Sequence, residues 1–404
     1  MKQDFVKGIS WLGAGKVITR AVALAKTAIL ARILSPAAFG LFGVASIVLN
    51  LLEVITETGI NVFLVQEKRD VDEYVDTAWL VSITRGILIS LLIVLLAGSI
   101  AGFFGSPGAR NLILLIALVP LIRGFINPSV VKFQKELTFH KEFYFRTLLF
   151  VVDAAAAVGF SLLTHSPAAI VWGMVAGAML EVLLSFLIVK PTPKFKFDFG
   201  LLKAIVNRGK WITLAGTFEY FFLHGDDIVV GRVLGVTPLG LYQVGYRISI
   251  LPITEIADVF GRVAFPSYVK IIDDPVRLKR VFTKIVGGIA LLVIPFGIIL
   301  FVFAEPLVRI VLGSQWLGVI PALKVLAIYG TVKALIYPAY AVFFAAKKQN
   351  YVTYATLAGI LGLFGSILPL VAQFGIVGAA LAALIGTLVT IPVITVCLVK
   401  TFKA

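Results

Sequence analysis

The sequence predicts an all-α integral membrane protein of about twelve transmembrane helices, arranged as two six-helix bundles related by a parallel internal repeat. Three observations predict it. The 404 residues are 60% hydrophobic and only 14% charged, with a mean hydropathy of +1.03, which is far too apolar for a water-soluble domain. Apolar runs long enough to cross a hydrocarbon layer of ~30 Å recur along the whole chain. Finally, residues 31–44, ARILSPAAFGLFGV, and residues 231–244, GRVLGVTPLGLYQV, align without a gap. Arg32 falls on Arg232, Leu34 on Leu234, Gly40 on Gly240, Leu41 on Leu241, Phe42 on Tyr242 and Val44 on Val244, and Trp11 falls on Trp211 at the same offset. A long internal repeat is an architectural statement. Each copy is a short turn, carrying Pro36 or Pro238, between two apolar segments, so each reads as the connection of a helical hairpin.

In order, the predicted spans lie near residues 9–34, 39–65, 77–105, 110–130, 145–164, 167–189, 210–234, 239–265, 283–303, 318–345, 351–372 and 376–399. Tight turns at SPAAF, GSPGAR and THSP close the hairpins of the first half on one side. The first bundle is expected over residues 1–190 and the second over 209–404. The connection between them, residues 191–208 within KPTPKFKFDFGLLKAIVNRGK, alternates Lys with Phe and carries Pro191 and Pro193. It reads as an amphipathic, lipid-contacting linker. The apolar pattern of residues 304–316, AEPLVRIVLGSQW, together with Trp316, suggests a short helix at the membrane interface. The first apolar segment runs past 20 residues with charges inside it, so no cleavable signal peptide is expected.

Orientation follows from the Lys and Arg count of the connections. Lys190, Lys194, Lys196, the run Arg277 to Lys284, Lys347 and Lys348 fall on one side, whereas Arg110 and Arg309 are the only basic residues on the other. Both termini are therefore expected in the cytoplasm of a cell whose inner membrane the chain spans. The net charge of +15 is mostly this collar, which suits anionic lipid headgroups and gives no reason to expect nucleic acid.

Soluble-enzyme chemistry finds little support. GAGKVIT at residues 13–19 fails as a phosphate loop because Ser10 and Val17 stand where Gly and Ser or Thr are needed. No HExxH, GxSxG or EF-hand pattern occurs, and Pro128 disqualifies Asn127 as a glycosylation acceptor. Cys397 is the single cysteine, and His140, His165 and His224 are scattered, so neither a disulfide framework nor a metal centre is expected, and no cofactor. Without an ATP site, uphill transport draws on an ion gradient or on the substrate's own gradient.

The chemistry sits in the ionisable residues within the spans, each costing about 2.5 to 3.5 kcal/mol on insertion scales. Lys16, Arg20, Lys26, Arg32, Arg85, Arg123, Arg232, Arg247, Arg262, Lys324 and Lys333 outnumber Glu53, Glu57, Asp153, Glu181, Glu219, Asp226, Asp227, Glu255 and Asp258. A basic excess suits an anionic ligand, and Arg in particular suits bidentate contact with phosphate. If each hairpin folds back on itself, residues equidistant from the turn share a depth: Lys16 with Glu57, Arg20 with Glu53, and Asp226 with Arg247. Lys16 and Arg20, four apart, also share a helix face. The headgroup-binding candidates are Lys16, Arg20, Arg85, Arg123 and Arg247. Glu53, Glu57 and Asp226 are their partner or gating acids, and Asp153 and Glu181 are candidate proton or ion sites or else lone protonated acids. Satisfied ion pairs that only hold helices together account for any single pair equally well. Arg32 and Arg232, near helix ends, read as snorkelling anchors.

With these residues in view, ILARILSPAAFGLFGVASIVLNLLEVITETGINVFLVQ, DDIVVGRVLGVTPLGLYQVGYRISILPITEIADVFGRVAFP and LGSQWLGVIPALKVLAIYG resemble the oligosaccharide flippases of the MOP superfamily, the Wzx-type polysaccharide exporters. The resemblance implies two six-helix bundles around a V-shaped cavity. It implies alternating access that carries a polyprenyl-pyrophosphate-linked oligosaccharide between leaflets, for lipopolysaccharide, O-antigen or other surface polysaccharide. A lateral opening for the lipid tail, proton or sodium coupling in some members, and work beside polysaccharide polymerase machinery belong to the same implication. Many relatives have fourteen spans where twelve are read in this chain. A cation-coupled multidrug exporter of the related branch would prefer an acidic, aromatic pocket, against the basic excess. A membrane polymerase or ligase would present a large outer loop bearing His or Arg, which residues 304–316 do not supply, so the chain is not read as an enzyme.

Overall fold

A computed structural model describes the backbone of residues 2–57, 60, 64 and 71–403, and their side chains except at 2–14, 16–17, 203–212, 214–215, 219, 251–252, 255, 258–259 and 262–263. Every element among the described residues is helical. Among the described residues, seven helices are long and apolar enough to cross a membrane, and a bent pair would make an eighth. The protein is thus a multi-pass membrane protein. Two compact units divide it, Met1–Gly225 and Asp226–Ala404.

In the first unit, α1 (Lys2–Ile33) ends two residues before Ser35, whose hydroxyl caps α2 (Pro36–Ile55) by accepting the Ala38 N–H at 3.3 Å. Ser followed by Pro is a strong start signal: the hydroxyl serves an N–H with no intrahelical acceptor, and proline has no N–H to orphan. Then follow α3 (Val75–Phe103), α4 (Ala109–Ile116), α5 (Leu118–Arg123), a 3₁₀ turn (Pro128–Val131), α6 (Lys132–Lys135), α7 (Phe139–Thr164) and α8 (Ala168–Ile188). The unbroken span expected at 110–130 is absent. Pro120 cannot donate to the Ile116 carbonyl and crowds it, which parts α4 from α5. Beyond Gly124 the path bends by 75° into the turn that Asn127 caps, its side-chain oxygen accepting from the Ser129 N–H at 3.0 Å.

Without a hydrophobic force between helices in lipid, close packing and polar contacts hold the bundle. α1 lies on α7, α7 on α8, α2 on α4, α3 on α5, and α5 on α8. A Cβ on Gly86 of α3 would come 2.5 Å from the Pro120 carbonyl and 3.0 Å from Gly124 Cα, so α3 and α5 meet backbone to backbone. Among the described residues, α1 and α2 by contrast barely touch beyond their turn. Of the depth-matched pairs expected in that hairpin, Glu53 is not joined to Arg20, and the side chain of Lys16 lies outside the described residues.

The expected linker is an extended strip over its first half only, because α9 (Phe199–Leu234) already begins at residue 199. The strip is pinned to the first unit. Asn127 Nδ2 and Ser129 Oγ donate to the Pro191 carbonyl at 3.0 and 2.9 Å, the Lys194 N–H reaches Asp76 at 2.7 Å, and the Asp198 N–H reaches Thr77 at 3.1 Å. Phe195, Phe197 and Phe199 stay exposed.

The second unit takes up the end of α9. The turn at Gly235, with φ +88°, leads to α10 (Val236–Val269), so both copies of the sequence repeat start a helix at matching positions, Pro36 and Val236. α11 (Pro275–Val302) is capped by Asp274, which accepts the Arg277 N–H at 2.9 Å. Next come α12 (Ala304–Val311), a 3₁₀ turn (Ser314–Val319), α13 (Ile320–Ala345) and α14 (Gln349–Lys403). The short helix expected at 304–316 is α12, and Trp316, in the turn after it, is wholly buried within the protein. α13 is the axle of this unit, packing on α10, α11 and α14. α14 is two arms: Gly375 has φ +58°, the chain folds so sharply that a Cβ on Gly378 would strike the Leu370 carbonyl, and Gly362 and Gly386 meet across the arms. These arms match the spans expected at 351–372 and 376–399.

Candidate functional site

The polar centre of the first unit is built where α2 ends. An α-helix leaves its last carbonyls without donors. The Thr56 N–H closes on Leu52, but the Glu53 carbonyl is served from another helix, by Arg85 Nη2 of α3 at 2.6 Å. Arg85 Nε also donates to Thr56 Oγ1 at 3.2 Å, and Nη2 lies 3.4 Å from the Glu57 carboxylate. Arg123, the last residue of α5, sits 3.8 Å from the Glu53 carboxylate and 3.7 Å from that of Glu181 on α8, ionic contacts too long to be hydrogen bonds. The glycine contact sets this arrangement, since Arg85 precedes Gly86 and Arg123 precedes Gly124 in sequence.

Two cavities open on this cluster. One of about 210 Å³ is lined by Glu53, Glu57, Ser82, Arg85 and Arg123, among others; another of about 510 Å³ shares Glu53, Glu57 and Arg85 and adds Asn50, Tyr220 and His224. Tyr220 is fixed by donating to the Ile47 carbonyl at 2.8 Å, and its ring lies 4.9 Å from that of His224. The Thr213 hydroxyl donates to the Glu57 carbonyl. The side chains of Arg85, Arg123, Glu53, Glu57 and Glu181 remain 23 to 43% exposed, so the charges are lodged in accessible space rather than sealed in the bundle.

A separate pair ties α1 to α7. Lys26 Nζ donates to both Asp153 oxygens, at 3.0 and 2.8 Å. Asp153 lies against Gly173 of α8, where a Cβ would come 2.9 Å from its Oδ1, and Gly177 is also beside it. In the second unit, the buried Asp226 accepts a hydrogen bond from the Tyr242 hydroxyl at 2.6 Å, and Lys333 donates to the Tyr329 hydroxyl at 3.0 Å. The Tyr246 ring lies between those of Tyr242 and Tyr329, 6.3 and 6.2 Å from them.

Of the residues singled out from sequence, Arg85, Arg123, Glu53, Glu57 and Glu181 come together. Their partners differ from those expected. Glu53 reaches Arg123 instead of Arg20. Arg20 is exposed on α1 and is not among the described residues lining the two cavities, and the side chain of Lys16, like those of Glu219, Glu255, Asp258 and Arg262, lies outside the described residues. Arg247 is exposed on α10 in the other unit, while its expected partner Asp226 bonds Tyr242. Neither Asp153 nor Glu181 is a lone acid, since Lys26 and Arg123 face them. The sequence reading missed Thr56, the Lys26 pairing and the Tyr220 and His224 wall. It also missed the Arg-Gly dipeptide that occurs once in each of two facing helices, a signal that was available.

The sequence profile of the polysaccharide biosynthesis proteins matches residues 29–321. The chain belongs to that family. Among curated members, the polysaccharide biosynthesis relatives include the lipopolysaccharide biosynthesis protein WzxC of Escherichia coli K12, 24% identical over 343 residues that make up 83% of this chain and 68% of WzxC. The teichuronic acid biosynthesis protein TuaB of Bacillus subtilis 168 is 25% identical over 75% of this chain and 63% of its own length. In fold, this family member resembles the lipid II flippase MurJ in an inward closed conformation, with TM-score 0.79, 15% identity and coverage of 98% of this chain and 89% of MurJ. A multidrug resistance MATE transporter of the MOP superfamily, facing inward, gives TM-score 0.73 and 16% identity, with 98% of both chains covered. In fold, the chain is thus like both of these structures.

Proposed function

We propose that the protein is a flippase that translocates polyprenyl-pyrophosphate-linked oligosaccharide across the cytoplasmic membrane by alternating access, for lipopolysaccharide, O-antigen or related surface polysaccharide. It is a transporter and not an enzyme. In this reading it has twelve spans in two six-helix bundles joined by the linker at 191–208, both termini are cytoplasmic, and its neighbours include polymerase machinery. The observation that carries the reading is the pair Arg85 and Arg123, held by carboxylates beside two accessible cavities within a chain of the polysaccharide biosynthesis family. Guanidinium groups in such a place suit a pyrophosphate, and Glu53, Glu57 and Glu181 hold them while it is absent. Lys16, Arg20 and Arg247 are further headgroup contacts, Asp226 a gating acid, and Asp153 with Glu181 the sites at which a proton or sodium ion is coupled.

One observation favours a second reading. The cluster sets three carboxylates against two guanidiniums, an acid excess that a cation-coupled drug exporter would use, and a MATE transporter is among the fold neighbours. Reconstitution separates the two. Purified protein in proteoliposomes with a fluorescent polyprenyl-pyrophosphate oligosaccharide should expose it on the far leaflet, and Arg85→Ala and Arg123→Ala should abolish that exposure while folding normally. Exposure that survives both substitutions would reduce the arginines to helix ties, and its absence beside drug efflux would select the exporter.

A further inference from the structure

Outside the polar cluster, the start of α11 carries a run of cations without an assigned task. Its core side is set by Leu278, Ile289, Val293 and Leu300, all buried. On the opposite side an open groove of about 430 Å³ is lined by Val276, Lys279, Arg280, Thr283 and Lys284. No carboxylate of a described residue pairs with Lys279, Arg280 or Lys284. The nearest acid in sequence, Asp274, already caps the helix at the Arg277 N–H.

Helical spacing continues this stripe along the span. Arg280, Lys284, Gly287, Leu291, Ile294 and Ile298 recur at steps of three and four, so they share one face. Leu291, Ile294 and Ile298 are 75, 41 and 56% exposed, and a Cβ at Gly287 would have nothing within 4 Å. The face therefore changes from three cations to an open notch and then to a bare aliphatic lane. That order matches an amphiphile with a phosphate head and acyl chains. We infer that this face of α11 is a binding site for an anionic glycerophospholipid, its phosphate held by Lys279, Arg280 and Lys284, and its chains lying along Gly287 to Ile298. A membrane phospholipid is the occupant because the site faces outward along the lipid-exposed side of its own helix, where the surrounding bilayer supplies it, and its charge is complementary to the anionic leaflet that the Lys and Arg bias selects.

The test uses the full chain in mild detergent with phosphatidylglycerol, phosphatidylcholine or undecaprenyl phosphate, with bound lipid counted by native mass spectrometry. Wild type should retain phosphatidylglycerol over phosphatidylcholine, and K279Q/R280Q/K284Q should lose at least about ten-fold of that retention. Gly287→Leu, which keeps every charge and has room for its side chain, should also weaken it, while R309Q should not. Equal retention of the two phospholipids, or full retention by the triple variant, would overturn the site. Displacement of phosphatidylglycerol by an equal concentration of undecaprenyl phosphate would overturn the phospholipid as its occupant.

Discussion

The two units begin from similar sequence at the repeated turn and place the acids described above against different partners. In the first, acids meet cations: Glu53 and Glu181 with Arg123, Glu57 with Arg85, and Asp153 with Lys26. In the second, the buried Asp226 meets a hydroxyl, and three tyrosine rings lead on to Lys333. The difference follows from how the helices pack. α2 ends early enough for Arg85 to reach its free carbonyl, and glycine contacts bring α3 and α5 close enough for two arginines to share three acids. Around α10 and α13 the neighbours are large aromatic side chains, and a phenol is what can reach a carboxylate there.

The largest expected effect is on the contact that creates the charge cluster. Gly86→Val forces a side chain into the Pro120 carbonyl and should destabilise the protein by about 3 kcal/mol, read as a fall in the unfolding midpoint in detergent. An unchanged midpoint would mean that the glycines do not set the arginines. Next comes Lys26→Met, which strands Asp153 in a packed interface and should cost about 2 to 3 kcal/mol; this is below the value for a sealed pair because the two side chains are 15 and 21% exposed. Adding Asp153→Asn should restore much of the loss, and a double-mutant coupling below about 0.5 kcal/mol would show that the pair does not act as a unit. In the second unit Tyr242→Phe should cost about 1 to 2 kcal/mol by removing the donor to Asp226. Asp226→Asn, whose amide oxygen still accepts, should cost less, and the reverse order would mean that charge rather than the hydrogen bond matters there. The smallest effect is expected for Arg309→Ala, whose pair with Glu305 is 58 and 60% exposed and should contribute no more than about 0.5 kcal/mol.

Much of the helical layout was legible because span length and turn chemistry are local. Ser35-Pro36, Asp274-Pro275 and Gly375 each fall at the boundary that their conformational preferences dictate. What the sequence concealed was lateral. Distance from a turn fixes depth but not azimuth, so Glu53 meets Arg123 instead of Arg20. Pro120 was visible, but whether a proline kinks a span or divides it depends on what neighbouring backbone approaches. For the candidate site, the residue types were right for Arg85, Arg123, Glu53, Glu57 and Glu181. Their association depended on Gly86 and Gly124, residues that carry no chemistry of their own.

The fold at Gly375 also bears on how the chain enters a bilayer. From Leu370 to Gly378 the peptide reads LVAQFGIVG, with Gln373 its only polar side chain, and the turn closes with no loop beyond the helical arms. A connection of that kind has almost nothing hydrophilic to drag through hydrocarbon. The last two spans can therefore be taken up together, as one folded hairpin already closed glycine against glycine, instead of being threaded one after the other.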